Sequence, residues 1–349
     1  MARLRGASKD GRNRWHGLRL LAADKTTLAL PESPSLFKAF GSHSGKQGLG
    51  PIAVELCCLF DLITRAPLHY VYDKACTSEK KLIKKLVKYL KKGDLILMDA
   101  GFYCCTTFTK IVSRCAHFII PAKTTNRPKV LSTLGQSDYL CQIQSSTDSS
   151  VTLIVRVLFV YRNGFRRRRL VTSLTDPIEY PASELARLYH MRWDIETFYR
   201  DFKHTLKSTS WHCQTLHTFR QELVMHMITI CLIRIAMFEA CCLIKSQVAQ
   251  ISFACALTET RLFFKILTNR SDTNYWNSIW TEFVQQCAKH RVKYKPDRQF
   301  SRDRQEYRRK SRGLNKPKRG RKRKYQAPSP LPPQSEIIKD SKGILFLLD

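Results

Sequence analysis

Residues 183–206 of the chain read SELARLYHMRWDIETFYRDFKHTL, and the rest of the sequence is interpreted around them. The stretch contains no Pro or Gly and is rich in Leu, Arg, Glu and Met, a composition that favours a helix. It follows Pro181, and Ser183 stands where a residue that caps the first turn is expected. The pattern therefore predicts one helix from Ser183 to Leu206.

Two stripes of side chains would run along this helix. At about 100° per residue, four polar residues fall within roughly 60° of one another: Tyr189, Arg192, Glu196 and Lys203. An adjoining apolar stripe would pack on a core; it consists of Leu185, Leu188, Ile195, Phe198, Phe202 and Leu206. One carboxylate between two cations suits a metal-binding acid beside a phosphate backbone. The alternative is ordinary ion pairing of Glu196 with Arg192 and Arg200 at the i,i+4 spacing.

Charge narrows the class of partner. The 349 residues include 60 Lys and Arg against 28 Asp and Glu, a formal net charge of +32. Such an excess indicates a polyanionic partner and argues against an enzyme for acidic metabolites, for which a local patch would suffice. Nucleic acid is preferred and no membrane partner is expected, because membrane binding would need an anchor or an amphipathic basic helix that inserts at a membrane surface, and neither is clearly present.

The thirteen Cys residues form no C-x-x-C motif and are odd in number. We therefore expect neither a zinc site nor a disulfide scaffold, but small buried residues of a reduced, cytoplasmic protein. The N-terminal sequence lacks the apolar core of a signal peptide. The apolar stretch from Leu223 to Ile244 carries charged residues, so a buried helix is predicted there and not a membrane span.

Asp24 is the first candidate acid. Residues 18–33, LRLLAADKTTLALPES, are interpreted as a strand, a tight polar corner that contains Asp24, and a second apolar run that ends at Pro31. A plain turn aspartate is the alternative. Asp61, near the turn of a predicted hairpin formed by residues 52–62 and 68–72, is the rival first acid, and it is expected to be an exposed turn carboxylate.

Asp99 is the second candidate. Residues 95–98 form a continuous apolar run typical of a strand buried on both faces, and Asp99 follows at its C-terminal end, where ligands gather in α/β sheets. An amphipathic helix that opens at Ser78 is predicted before it, with lysines on one face that are either solvated or bind DNA.

Two further segments differ in composition. Residues 123–180 consist of short alternating or β-branched runs and predict a β-rich insertion, in which Arg166, Arg167, Arg168 and Arg169 form either a basic surface turn or a DNA contact. From residue 289 the sequence is strongly basic with few aliphatic residues, followed by a Pro-rich piece, which predicts a disordered tail that adheres to polyanions.

The spacing of Tyr189, Arg192, Glu196 and Lys203 resembles the Tyr-Arg-Glu-Lys signature of DDE transposases of bacterial insertion sequences, the insertion sequence four family. Asp24 followed by LALPES resembles the motif of the family's first catalytic Asp, although Lys25 stands where the family has Gly. Asp99 in DAGF resembles the second motif. VTSLTD and YPASELARLYHMRW resemble the entry to the Glu helix, and the resemblance covers roughly residues 15–250.

The resemblance implies an α/β fold, an RNase H-like mixed sheet with flanking helices that is interrupted by the β-rich insertion. It implies that Asp24, Asp99 and Glu196 are catalytic and bind two Mg²⁺ ions, for which Mn²⁺ can substitute. Tyr189, Arg192 and Lys203 would hold phosphates. Trp193, if it does not pack in the core, would stack on an unpaired base.

The function implied is cut-and-paste DNA transposition by phosphodiester hydrolysis and strand transfer. The partners would be double-stranded DNA, at element ends and target, and a second copy of the chain in a homodimer, in the cytoplasm near the nucleoid. The alternatives are a catalytically impaired DNA-binding derivative, suggested by Lys25 and by the few residues before Asp24, and a nuclease of the same fold.

The predicted organisation has five parts. They are a basic N-terminal remnant (1–16), a first part of the catalytic core (17–122), the β-rich insertion (123–180), a second part of the core with the Glu helix (181–288) and the basic, Pro-rich tail (289–349).

Overall fold

A ten-stranded mixed sheet runs through the part of the chain that the computed structural model describes, residues 14–45, 48–122, 128–146, 148–160, 168–208, 210–267 and 273–292. The strands are β1 (Arg19–Ala29), β2 (Ser42–Gly45), β3 (Gly48–Asp61), β4 (Ala66–Lys74), β5 (Asp94–Met98), β6 (His117–Pro121), β7 (Lys129–Gly135), β8 (Asp138–Gln144), β9 (Thr152–Val160) and β10 (Arg168–Thr172). The helices are α1 (Pro34–Phe40), α2 (Glu79–Leu86), α3 (Cys105–Val112), α4 (Ala182–His190), α5 (Asp194–Arg200), α6 (Leu216–Leu243), α7 (Phe253–Leu267) and α8 (Thr273–Lys289).

The centre of the sheet has the order β4-β3-β1-β5-β6. β1 pairs antiparallel with β3 and parallel with β5, and β5 pairs parallel with β6. The register sets Ala23 opposite Met98, so the residues that follow them, Asp24 within β1 and Asp99 just after β5, lie at the same level of neighbouring parallel strands.

The polar corner predicted at Asp24 does not exist. β1 is continuous from Arg19 to Ala29, with Asp24 opposite Cys58 and Lys25 opposite Cys57 of β3. The pairing of β1 with β3 continues on both sides of these two polar residues, so long-range pairing overrides the local turn signal. Lys25, which stands where the resembled family has Gly, is not among the residues with positive φ, so a non-Gly residue causes no backbone strain at this position.

Strands β7 to β10 continue the same sheet, because β10 pairs antiparallel with β6 and β9, and β8 joins β9 to β7. Arg156 of β9 and Asp138 of β8 form a buried ion pair with 2.6 Å between Nη2 and Oδ2. The strands predicted in this stretch are therefore confirmed, while their assignment as an insertion stays a prediction. The described residues belong to one compact unit, and the five-part organisation also stays a prediction.

Alternate residues of β1 face two separate cores. Leu20 and Ala22 belong to the core covered by α1 and α4 to α8, whereas Leu21 and Ala23 belong to the core covered by α2 and α3. This alternation is the period of a strand with helices on both faces.

The segment predicted as one helix from Ser183 to Leu206 keeps a helical backbone but changes its winding. It comprises α4, a 3₁₀ turn at Met191–Trp193, α5 and a π-helix at Asp201–Thr205. Pro181, with φ −58° and ψ 139°, occupies the N-cap, so the expected cap at Ser183 is wrong. Short 3₁₀ and π segments in a helix often lie at functional sites.

Helix α6 is long and apolar enough to cross a membrane by length and composition. In the fold it packs on β4, α7 and α8, with Leu223, Ile230 and Ile233 buried, as the prediction of a buried helix requires. Its other side exposes Met225 and Ile228, so the prediction holds for one side of the helix.

The thirteen cysteines are free thiols, as expected for a chain without a disulfide scaffold. Most are buried or half-buried, but Cys76, Cys115 and Cys242 are exposed, so the expectation of buried residues is wrong for these three.

Candidate active site

Asp24 lies in the middle of β1 and is largely buried. Its Oδ1 accepts a hydrogen bond of 2.8 Å from the backbone N–H of Lys25. Burial raises the pKa of the carboxyl to about 6, because desolvation outweighs the opposing effects of the Lys25 amide and of Arg192. The charges of Glu196 and Asp99 raise this pKa further, so the three predicted acids interact electrostatically.

Asp99 follows β5 directly and is exposed. Its Oδ1 accepts a 2.6 Å hydrogen bond from the Ala100 amide and caps the 3₁₀ turn Ala100–Phe102. At Met98, the last residue of β5, the backbone carbonyl accepts a hydrogen bond of 3.2 Å from the Tyr189 hydroxyl. This bond holds the end of α4 against the strand that carries Asp99.

Arg192 is buried among the acids. Its Nη2 donates to Glu196 Oε1 at 3.1 Å, and its Nη1 lies 3.9 Å from Asp24 Oδ2. Burial by itself would lower the pKa of Arg192, but the surrounding acidic groups outweigh burial and raise it; these are Tyr189, Asp99, Asp24 and Glu196. The guanidinium therefore interacts electrostatically with all three predicted acids. The i,i+4 ion pair of Glu196 with Arg192, the alternative interpretation of Glu196, is formed.

Within the described ranges, no three His, Cys, Asp or Glu side chains lie close enough together to hold a metal ion as they stand. The three carboxylates are grouped around the Arg192 guanidinium. Their roles as catalytic residues and metal ligands stay predictions.

The segment from α4 to the π-helix is fastened to β1 by two further hydrogen bonds. The Tyr199 hydroxyl donates to the Asp24 carbonyl at 2.6 Å and accepts from the Cys58 amide at 3.2 Å. Lys203 Nζ donates to the Thr27 carbonyl at 2.8 Å, and burial lowers the pKa of its ammonium group. Lys203, predicted to hold a phosphate, thus contacts the strand.

Sequence reasoning missed Glu55, which is fully buried in β3. Glu55 accepts a 2.9 Å hydrogen bond from the Thr27 hydroxyl and lies 3.1 Å from Lys25 Nζ. The Lys25 ammonium group is therefore paired with Glu55 and does not pair with the Asp24 carboxylate. The available signal was one carboxylate in the apolar run IAVELCCLF, since a lone acid in a buried strand needs a partner.

The remaining residues predicted to contact DNA differ in their exposure to solvent. Trp193 is 48% exposed, with the Arg192 guanidinium 5.4 Å from its ring, so it does not pack in the core. Arg168 and Arg169 are half-buried in β10, and the charge of Arg168 reaches Tyr189. Arg166 and Arg167 lie outside the described residues, as does the tail from residue 293 onward.

Asp61 is correctly placed at a turn but wrongly expected to be exposed. It is 1% exposed, and its Oδ1 accepts hydrogen bonds from the Ile63 and Thr64 amides at 3.0 and 2.9 Å. Burial raises the pKa of its carboxyl. Asp61 is therefore a structural cap of the hairpin, because its acceptors satisfy turn amides that the fold buries.

Residues 15–232 match the family model described as the transposase DDE domain, which covers more than half of the chain. The chain belongs to the DDE transposase family. The match begins before β1, ends within α6, and includes all three predicted acids and the Tyr-Arg-Glu-Lys residues.

A curated relative agrees with the resemblance drawn from the signature. The chain is 28% identical over 221 residues to the transposase InsG for insertion sequence element IS4 of Escherichia coli (strain K12). The alignment covers 60% of this chain and 49% of the relative, so the chain spans about half the length of that protein.

Among solved structures, the chain is similar to the piggyBac transposase in its synaptic complex with hairpin DNA. The TM-score is 0.40 at 11% identity, and the similarity covers 83% of this chain and 62% of the other.

Proposed function

We propose that this chain is a DNA transposase that performs metal-dependent phosphodiester hydrolysis and strand transfer. One observation carries the proposal: in a member of the DDE family, acids from a strand, a strand end and a helix all interact electrostatically with one buried arginine. The partners proposed with it are double-stranded DNA, at element ends and target, and a second copy of the chain.

The proposed core is RNase H-like. Its support is the order β4-β3-β1-β5-β6, in which three antiparallel strands are followed by two strands parallel to β1. This topology brings a strand interior and a neighbouring strand end to the same level, where the two aspartates stand.

A divalent cation of the Mg²⁺ type fits the donors present. Asp24, Asp99 and Glu196 offer carboxylate oxygens, which Mg²⁺ prefers, and these residues would hold the metal. Burial disfavours the ionised form of Asp24, and a nearby cation would offset that cost. When bound, such ions make a water or a 3′-hydroxyl nucleophilic and stabilise the leaving oxygen.

Arg192 would bind the phosphate next to the scissile bond. Its guanidinium offers donors in a planar fork that matches phosphate oxygens. Its Nε is buried and has no hydrogen-bond partner among the described residues. A buried donor without an acceptor is costly, so a phosphate oxygen that reached this position would be stabilised.

The Tyr189 hydroxyl and the Tyr199 hydroxyl would keep this arginine in place. They bind backbone carbonyls of Met98 and Asp24, and so couple the helix to both strands that carry aspartates. Rigid support of this kind is what positions catalytic groups within the tolerance that chemistry needs.

The alternative of a catalytically impaired derivative drew on Lys25. Since Lys25 has a strand conformation and pairs with Glu55, neither backbone strain nor a competing cation at the Asp24 carboxylate favours that alternative.

The proposal is tested by cleavage and strand transfer. The purified chain is incubated with labelled duplex DNA and a target plasmid, with Mg²⁺, Mn²⁺ or a chelator. We expect metal-dependent nicking and joined products. Glu196→Gln should abolish both while DNA affinity is kept; Glu184→Gln, on the same helical segment but paired with His16 at 2.9 Å, is the matched control that should stay active.

Absence of metal-dependent nicking by the unmodified chain would overturn the proposal. Nicking without joined products would instead favour the nuclease. If Glu196→Gln loses DNA affinity to the same degree as it loses cleavage, this acid acts on DNA binding and not on the chemical step.

A further inference from the structure

Helix α2 and the 3₁₀ turn Val87–Tyr89 that follows it present a lysine-rich face. Their apolar side is buried in the core with Leu82, Ile83 and Leu86. The opposite side and the next residues are exposed and carry seven lysines: Lys80, Lys81, Lys84, Lys85, Lys88, Lys91 and Lys92. Glu79 is the single acid in the sequence of α2, so this surface is strongly cationic.

The lysines divide into two sets by their charged neighbours. Lys80, Lys84 and Lys88 follow one another at four-residue spacing and, at about 100° per residue, fall within roughly 80° of one another; we call them the inner stripe. Lys81 and Lys85 lie near Asp73 of β4. Lys85 Nζ is 2.7 Å from Asp73 Oδ2, and the charge of Lys81 also reaches this aspartate.

The inner stripe starts next to the candidate active site. The Glu79 carboxylate lies so close to Gly101, two residues after Asp99, that a Cβ at Gly101 would overlap it. The charge of Lys84 reaches Cys104 in the same loop. Lys25, the residue that follows Asp24 in β1, donates from Nζ to the Thr77 carbonyl just before the helix at 3.4 Å.

None of the three inner-stripe lysines forms an ion pair within the described residues. Lys88 Nζ lies 5.0 Å from the ring of its neighbour Tyr89, which is a contact with a neutral group. The three ammonium groups are therefore exposed without a carboxylate partner among the described residues.

We propose that Lys80, Lys84 and Lys88 bind the sugar–phosphate backbone of a DNA duplex beside the scissile bond. Four helical residues rise about 6 Å, so the stripe spans about 12 Å. One strand of duplex carries a charge about every 3.4 Å along its axis, so this length covers about four phosphates. Lysines are point charges that contact phosphates without reading bases, so the contact is independent of sequence. The inference rests on the proposed function, because it takes DNA as the substrate.

The test compares two triple variants that remove the same charge from the same exposed surface. Lys80→Gln, Lys84→Gln and Lys88→Gln remove the inner stripe, and Lys81→Gln, Lys85→Gln and Lys92→Gln form the control. Affinity for a fluorescent duplex of random sequence is measured by anisotropy over a salt series, and circular dichroism with thermal melting shows that both variants fold.

The inner-stripe variant should lower the slope of log K against log salt by about 2.7, which is about 0.9 for each of three lost phosphate contacts. Over a fourfold rise in salt, the affinity of the unmodified chain should then fall about 40-fold more than that of the variant. The control triple should change the slope much less, and replacement of the inner stripe by arginines should retain it.

An unchanged slope in the inner-stripe variant, or an equal change in both triples, would overturn the inference and show a solvated face. Nicking is assayed alongside with the unmodified chain. Intact nicking with an unchanged slope leaves the proposed function standing without this contact, whereas loss of metal-dependent nicking by the unmodified chain counts against the function itself.

Discussion

Replacement of Asp24 by asparagine should stabilise the protein and inactivate it. Only 18% of the Asp24 side chain is exposed, and burial raises the pKa of its carboxyl from 3.8 to about 6. An amide of the same shape can accept the Lys25 hydrogen bond without carrying a charge. The gain in stability should therefore equal the cost of ionising the buried acid.

The sign and size follow from proton linkage. Below about pH 4 the carboxyl is protonated in the folded and unfolded states and costs nothing. Between about pH 4 and 6 the folded state keeps a proton that the unfolded state loses, so stability falls as pH rises. Above about pH 6 the cost is complete and amounts to about 3 kcal/mol, at about 1.4 kcal/mol per pKa unit.

The assay is urea unfolding of the unmodified chain and Asp24→Asn in a chelating buffer from about pH 4 to about pH 8. The variant should be more stable by about 3 kcal/mol at the upper pH and equal at the lower one. Added Mg²⁺ should stabilise only the unmodified chain, because a ligand that binds the folded state raises its stability. Cleavage by the variant should be abolished.

Asp99→Asn is the matched control. Asp99 is exposed, so its replacement should change stability by less than about 0.5 kcal/mol at both pH values while it also abolishes cleavage. An Asp24→Asn variant that is no more stable than the unmodified chain at the upper pH, or whose advantage does not vary with pH, would refute this account of the buried carboxyl.

Three other outcomes are expected. Tyr199→Phe leaves the buried Cys58 amide without an acceptor and should cost about 1–3 kcal/mol with slower cleavage; unchanged unfolding in urea would contradict this. Lys203→Met removes the hydrogen bond to the Thr27 carbonyl and should cost about 1 kcal/mol without altering the salt slope of DNA binding, whereas a lost phosphate contact would lower that slope by about 0.9. Deletion of residues 293–349 should flatten the salt slope and leave the melting temperature unchanged, and a steep slope in the truncated chain would place the main DNA contact elsewhere.

Local patterns identified most of the elements that carry the site. The strand before Asp99, the hairpin of β3 and β4, the lysine-bearing helix α2 and the apolar stripe of the Glu196 segment all follow from short-range periodicity. Such patterns can be recognised in one sequence because the geometry of a helix or a strand fixes the spacing of its buried residues. The spacing of the signature residues also indicated the family, because the number of residues between them can be read from the sequence without a structure.

The arrangement around Asp24 depended on tertiary structure. β1 passes straight through Asp24 and Lys25 because it pairs with β3 from Leu21 to Ala29, and a partner strand distant in the sequence cannot be inferred from local turn propensity. The pairing of Lys25 with Glu55 arises in the same way, across two strands.

The central position of Arg192 was likewise decided by packing. The sequence by itself determined that Arg192 and Glu196 share a helix face, since i and i+4 residues always do. Only the docking of that face on β1 and β5 set the guanidinium between three carboxylates and buried it, because desolvation and long-range charge depend on what the other elements bring near.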